Sequence, residues 1–156
     1  MITITLGDEN DTARLASLLV QHLPAGSVVL LKGPLGAGKT TLARHVARAL
    51  GFTGRVTSPT YTLIHTYPTP GGTLLHADVY RLPDSAQLWE FGLEEALEDA
   101  RLALIEWGTP EILVADVEIE IEITEDGTRR LRLAALEPEL KDVVATIEQA
   151  MRRGRG

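Results

Sequence analysis

Apolar and polar residues alternate from Met1 to Leu6, which predicts a short strand. Leu15, Leu18, Leu19 and Leu23 then recur at helical spacing. A helix is expected from a cap at Asp8 or Asp11 to about Leu23, ended by Pro24-Ala25-Gly26. Val28 to Leu31 is a continuous apolar run, the pattern of a strand covered on both faces. A glycine-rich loop follows, then a helix from about Lys39 to Leu50 that Gly51 stops. Thr62 to Tyr67 and Thr73 to Tyr80 flank a Pro68 to Gly72 turn and predict an antiparallel hairpin. Asp84 to Leu97 reads as a helix broken near Gly92, Leu102 to Ile105 as a second fully apolar strand, and Pro110 to Ala115 as a short helix. Val117 to Ile123 alternates with acids, as a half-exposed strand does. Asp126-Gly127 turns it into a return strand from Arg130 to Ala134. Leu140, Val143, Val144, Ile147 and Met151 mark a last amphipathic helix, and Arg152 to Gly156 read as a loose basic tail. The expected architecture is α/β: a mixed sheet with a parallel core and added antiparallel strands, flanked by helices.

Composition narrows the partners. A chain of 156 residues fits one domain, residues 1–156, and 44% apolar residues leave no case for disorder. The net charge of −7 argues against a general nucleic-acid coat, because neutralising phosphates requires a basic surface. With no cysteine, neither disulfides nor a thiolate-held zinc is available. The first residues carry no leader pattern, and no apolar stretch approaches the ~18 residues of a membrane span. A soluble cytoplasmic protein is expected. Twelve of the fifteen basic residues are arginine, so a lysine inside a motif stands out.

That lysine is Lys39. Gly33-Pro34-Leu35-Gly36-Ala37-Gly38-Lys39-Thr40 is a complete G-x-x-x-x-G-K-T phosphate loop between an apolar strand and a helix. The glycines let the backbone turn its N–H groups onto phosphate oxygens, and the helix N-terminus adds its dipole. Lys39 can reach the β and γ phosphates and the Thr40 hydroxyl can ligate magnesium. The fold expectation sharpens to a P-loop NTPase-like sheet. Leu102 to Glu106 has the form of a Walker B strand ending in a carboxylate, a candidate magnesium ligand beside the loop. On the strand that contains Leu75 to Arg81, His76, Asp78 and Tyr80 share one face. Two readings stand for that face. In one, Asp78 orients water or a magnesium-bound water with His76 in support; in the other, polar side chains simply face solvent, and local pattern leans to the latter. Thr57 to Tyr61 is either a switch segment sensing the γ-phosphate or a capped turn. Trp107 either packs on a base or fills the core, and the tail from Arg152 either touches RNA phosphates or is a solvated end.

Four segments together, G-P-L-G-A-G-K-T-T at 33–41, S-P-T-Y at 58–61, H-A-D-V-Y-R-L at 76–82 and I-E-W-G at 105–108, resemble one family. It is the bacterial P-loop ATPase family of tRNA threonylcarbamoyladenosine biosynthesis, TsaE, and the likeness spans roughly residues 5–135. The resemblance implies an ATPase that uses ATP and Mg2+ and works with a two-subunit transferase complex of the TsaB and TsaD type. That complex modifies N6 of adenosine 37 in ANN-decoding tRNAs. The family member touches tRNA only through the complex, and its hydrolysis supports turnover. It further implies that Leu35, Gly36, Ala37, Gly38, Lys39, Thr40, Thr41, Thr60 and Trp107 bind nucleotide. Thr40 and Glu106 hold magnesium, while Asp78, Glu106 and Lys39 serve hydrolysis. Two other functions fit a short P-loop chain: a binding switch governed by ATP occupancy, and a small-molecule kinase. No arginine-rich lid follows Glu106, which disfavours the kinase. The single asparagine, Asn10, excludes an N-K-x-D guanine-reading motif, so ATP is preferred to GTP by elimination.

Overall fold

The computed structural model describes residues 2–34, 37–56, 64–78, 92–106 and 115–153. Seven strands form one mixed sheet: β1 (Ile2–Leu6), β2 (Ser27–Lys32), β3 (Ile64–Tyr67), β4 (Thr73–Asp78), β5 (Ala100–Glu106), β6 (Val117–Ile123) and β7 (Arg129–Ala135). Their order is β1-β7-β6-β2-β5-β4-β3. The four inner strands β6, β2, β5 and β4 run parallel. The expected β3–β4 hairpin is present, and β7 and β1 add antiparallel pairs at the other end. The helices are α1 (Glu9–His22), α2 (Lys39–Ala49), α3 (Leu93–Asp99) and α4 (Lys141–Arg153).

Local chemistry sets the ends of α1. Asp8 is the N-cap and accepts from the Asp11 N–H at 3.0 Å, while the Asp11 carboxylate reaches back to the Gly7 N–H at 2.8 Å. The two acids thus satisfy donors reciprocally, as in a capping box. At the far end the Arg101 guanidinium donates to the carbonyls of Val20 and Leu23, placing a cation on the helix C-terminus.

Period-two geometry then divides the core. Val29, Leu31, Leu102 and Leu104 point to the face covered by α1, α2 and α4, where they join Leu15, Leu19, Leu42, Val46 and Ile147. Val28, Leu30, Ala103 and Ile105 point to the opposite face and pack with Leu93 of α3. On β6, Val117, Ile119 and Ile121 are buried in the first cluster. The intervening Glu118, Glu120 and Glu122 pair with Lys32, Arg130 and Arg132 on the other face. The buried side of α2 (Leu42, Ala43, Val46, Ala47) fixes that helix to the sheet. Each such fully buried leucine or valine contributes ~1.5–3 kcal/mol, so the loop that feeds α2 is held by a rigid element.

Three expectations change. Arg152 and Arg153 belong to α4 rather than to a loose tail, because Met151 is buried and Arg152 pairs with Glu148 one turn back at 2.7 Å. Leu140 closes a 3-10 turn, Pro138–Leu140, ahead of α4. Ala115 lies in no helix; the rest of the helix expected from Pro110 falls outside the described residues, as does the stretch from Asp84 to the residue before Gly92. Gly92, at φ +79°, caps the N-terminus of α3 at the position where the break was expected, and α3 runs on to Asp99.

Candidate functional site

The site forms where the C-terminal ends of β2, β5 and β4 meet the N-terminus of α2, the edge at which parallel α/β sheets present ligands. Leu31 pairs with Glu106 on one side and Asp78 pairs with Glu106 on the other, so the three lie in one row across the sheet. Because paired residues project to the same face, Glu106 points toward α2. Lys39, the first residue of α2, meets it: Nζ lies 3.5 Å from Glu106 Oε1. The other carboxylate oxygen, Oε2, accepts from His76 Nε2 at 2.6 Å.

This cluster is almost sealed from solvent. His76 is 0%, Glu106 5% and Lys39 6% exposed, so charge and hydrogen bonding here act in a low-dielectric setting. Burial pushes the Glu106 carboxyl up, but the His76 hydrogen bond and the neighbouring charges outweigh it and hold the carboxyl below the ordinary glutamate value. Glu106 is therefore a carboxylate at neutral pH.

Gly38 caps α2 in the left-handed region (φ +114°, ψ +15°), with no side-chain cap hydrogen bond among the described residues. A β-carbon at Gly38 would meet nothing within 4 Å, and the first turn of α2 carries no acid. A helix N-terminus presents backbone N–H groups and a positive dipole to an anion, and here Lys39 stands beside them. Thr40 and Thr41 are half-buried in this first turn.

Beside the loop lies a cleft of about 300 Å³, lined by Ala37, Gly38 and Thr41 on one side and by Asp8, Glu9, Thr12, Ile121 and Arg129 on others. Arg129 donates from Nε to the Ala37 carbonyl at 2.9 Å, tying the start of β7 to the phosphate loop. Glu9 accepts from Arg44 at 2.7 Å and His45 at 2.9 Å, linking α1 to α2 at the cleft wall.

The structure thus brings together Lys39, Thr40, Thr41, Ala37, Gly38, Glu106 and Asp78 from the sequence reading. Leu35, Gly36, Thr60, Trp107, Tyr80 and Arg81 lie outside the described residues, as does the segment 57–61. The solvent-facing alternative for His76 is wrong: β4 is an inner strand between β5 and β3, and the ring is fully buried. Its support for Asp78 is corrected too, because its hydrogen bond goes to Glu106. Sequence reasoning missed Arg129, Thr12 and Glu9. The one signal for Arg129 was its place beside the Asp126-Gly127 turn, which says nothing about the distant loop it reaches.

Similarity to known proteins agrees with this geometry. A family model described as threonylcarbamoyl adenosine biosynthesis protein TsaE matches residues 6–132. The chain is 38% identical to the tRNA threonylcarbamoyladenosine biosynthesis protein TsaE of Aquifex aeolicus, over 83% of this chain and 93% of that one. It is 37% identical to the Rickettsia felis protein of the same name, over 81% and 75% respectively. It is 44% identical to the Mycobacterium tuberculosis protein of that name, over 68% of each. The solved structure of Bacillus subtilus YdiB superposes with a TM-score of 0.73 at 25% identity, covering 99% of this chain and 96% of that one. With the family model spanning most of the chain, this protein belongs to the TsaE family of tRNA threonylcarbamoyladenosine biosynthesis.

Proposed function

We propose that this protein binds ATP with magnesium and hydrolyses it to support turnover of the complex that makes N6-threonylcarbamoyladenosine at position 37 of ANN-decoding tRNAs. The observation that carries the proposal is the Lys39–Glu106 pair: a loop lysine at the head of α2 within 3.5 Å of a carboxylate ending the neighbouring parallel strand. That is the arrangement phosphoryl transfer requires, with a cation for the β and γ phosphates beside a metal-binding acid.

The donor set suits magnesium. Among the described residues no group of three or more histidines and carboxylates forms a cage by itself. Magnesium usually takes one or two carboxylates and completes its shell with phosphate oxygens and water. Glu106 and the Thr40 hydroxyl supply hard oxygens at the head of α2, where a bound triphosphate supplies the rest. When bound, the ion neutralises charge on the transferring phosphoryl group. Lys39 leaves Glu106 for the phosphates, and Asp78, across from Glu106 in register, orients the attacking water. The cleft beside Thr41 receives the nucleoside, with Arg129 holding the loop at its edge.

The partners are the two subunits of a TsaB and TsaD type transferase, and tRNA is met through them. A net charge of −7 fits a subunit that docks on proteins rather than on nucleic acid. Among the described residues no helix is long and apolar enough to cross a membrane, in keeping with work in the cytoplasm. The test is ATP hydrolysis by the full chain, alone and with the partner complex, with Lys39→Ala as control. Strong stimulation that the variant lacks supports the proposal. Tight ATP binding without stimulation transfers support to a switch governed by ATP occupancy.

A further inference from the structure

His76 has a polar atom with a partner and a polar atom without one. Nε2 lies 2.6 Å from Glu106 Oε2, and Nδ1 is buried with no hydrogen-bond partner among the described residues. An ionised carboxylate only accepts, so Nε2 carries the proton and donates. A buried imidazole nitrogen left unsatisfied is costly. The ring is therefore held where it is for the bond to Glu106 and not for a network of its own.

The other half of the geometry lies on Glu106. Its side chain turns about three bonds, and a carboxylate free to rotate presents either oxygen in many directions. His76 grips Oε2 from the adjacent strand β4, while Oε1 is the oxygen that faces Lys39 and the head of α2. Full burial of the ring, on the same sheet face as the buried Leu74 and Leu104, gives that grip a rigid base. We propose that His76 is a positioning residue that holds Glu106 Oε2 so that Oε1 is presented to the metal at the head of α2, and thereby sets how much magnesium the site needs. This rests on the reading of Glu106 as a magnesium ligand. Removing partners that orient metal-binding side chains typically weakens the metal by about 10–100-fold.

The test titrates Mg2+ against the full chain in the presence of ADP and reads nucleotide binding by calorimetry. Five proteins are compared: wild type, Glu106→Gln, His76→Leu, His76→Asn and His76→Gln. A glutamine amide reaches about as far as Nε2, whereas the shorter asparagine amide does not. Expected are a magnesium requirement raised about 10–100-fold in His76→Leu and His76→Asn, near-wild-type behaviour in His76→Gln, and unchanged ADP affinity in EDTA for all three. Should His76→Leu fail to fold, the contrast between Asn and Gln still decides. A wild-type requirement in His76→Asn, or an equal shift in Asn and Gln, overturns the proposal while a shifted Glu106→Gln leaves the metal reading standing. A Glu106→Gln protein with an unchanged requirement removes the metal reading itself and this proposal with it. Nitrogen-15 spectra of labelled histidine give a second readout: a proton on His76 Nε2 that responds to Glu106→Gln is expected, and a bare Nε2 overturns the proposal.

Discussion

The first and last glycines of the phosphate loop do different work, and alanine at each separates the two. Gly33 sits at φ +149°, and a β-carbon there would stand 2.6 Å from the Ile121 carbonyl oxygen of β6. Gly38 sits at φ +114° with open space around its would-be β-carbon. A side chain held in the left-handed half of the map costs roughly 1–3 kcal/mol, so Gly38→Ala should destabilise the nucleotide-free protein by about 2 kcal/mol. Gly33→Ala bears the same strain plus an overpacking cost of roughly 1–3 kcal/mol against backbone that cannot rotate away. Its total is about 4 kcal/mol. At this chain length a kilocalorie moves Tm by about 2–4 °C, giving losses of about 6 °C and about 12 °C. Urea unfolding without nucleotide, with the slope monitored for each variant, measures the difference directly. Equal losses in the two variants, or a Gly33→Ala protein within about 1 kcal/mol of wild type, would refute the steric reasoning.

Other outcomes follow from the site and its rim. Arg129→Ala removes a charged hydrogen bond to the Ala37 carbonyl and should lower nucleotide affinity about tenfold; Arg129→Lys, which keeps charge but not the fork, should not recover it, and full recovery in calorimetry would exclude the loop-holding role. Asp78→Asn should leave ATP binding intact and slow partner-stimulated hydrolysis, so normal turnover in that variant removes Asp78 from the water-positioning role. Asp126 accepts from the Thr124 hydroxyl and from the Thr128 N–H and hydroxyl, which lower its carboxyl to about 2. Its unfolded value is about 3.9, so its stabilising effect is full above pH ~4 and fades as pH falls toward ~2. Asp126→Asn should therefore differ from wild type above pH ~4 and converge with it in acid unfolding; a constant gap down to pH ~2 would contradict this.

How far the sequence could be read depended on how local each cause was. The run Val28 to Leu31 was legible because both faces of β2 are covered, α1 and α2 on one side and the α3 cluster on the other. The alternation of β6 was legible for the opposite reason, since only one of its faces is buried. Lys39 and Glu106 were found through spacing and flanking strands, and the structure sets them together. His76 was misjudged because its environment is decided by strand order. Placed between β5 and β3, a residue that resembles a polar face of a hairpin is sealed inside. Arg129 and the cleft were invisible for the same kind of reason, as contacts between residues 129 and 37 leave no periodic trace. At the C-terminus, Arg152 read as tail because its ion pair and the burial of Met151 outweigh a glycine-rich end.

The strand order also fixes when the protein can become itself during synthesis. Among the described strands β1 finds its one sheet neighbour in β7, where Ile2 meets Leu133, and β2 waits for Leu102 on one side and Val117 on the other. Among the described strands β3–β4, β4–β5 and β6–β7 are adjacent in both chain and sheet, whereas β1 and β2 pair with no strand next to them in the chain. A ribosome that has released the first hundred residues has therefore exposed the whole phosphate loop without either strand that flanks its base. Such late, non-local pairing folds slowly and leaves apolar strands uncovered for longer. The nascent chain should gain neither protease resistance nor nucleotide affinity until β7 has emerged, so a chain cut short before residue 129 is expected to be degraded rather than partly active.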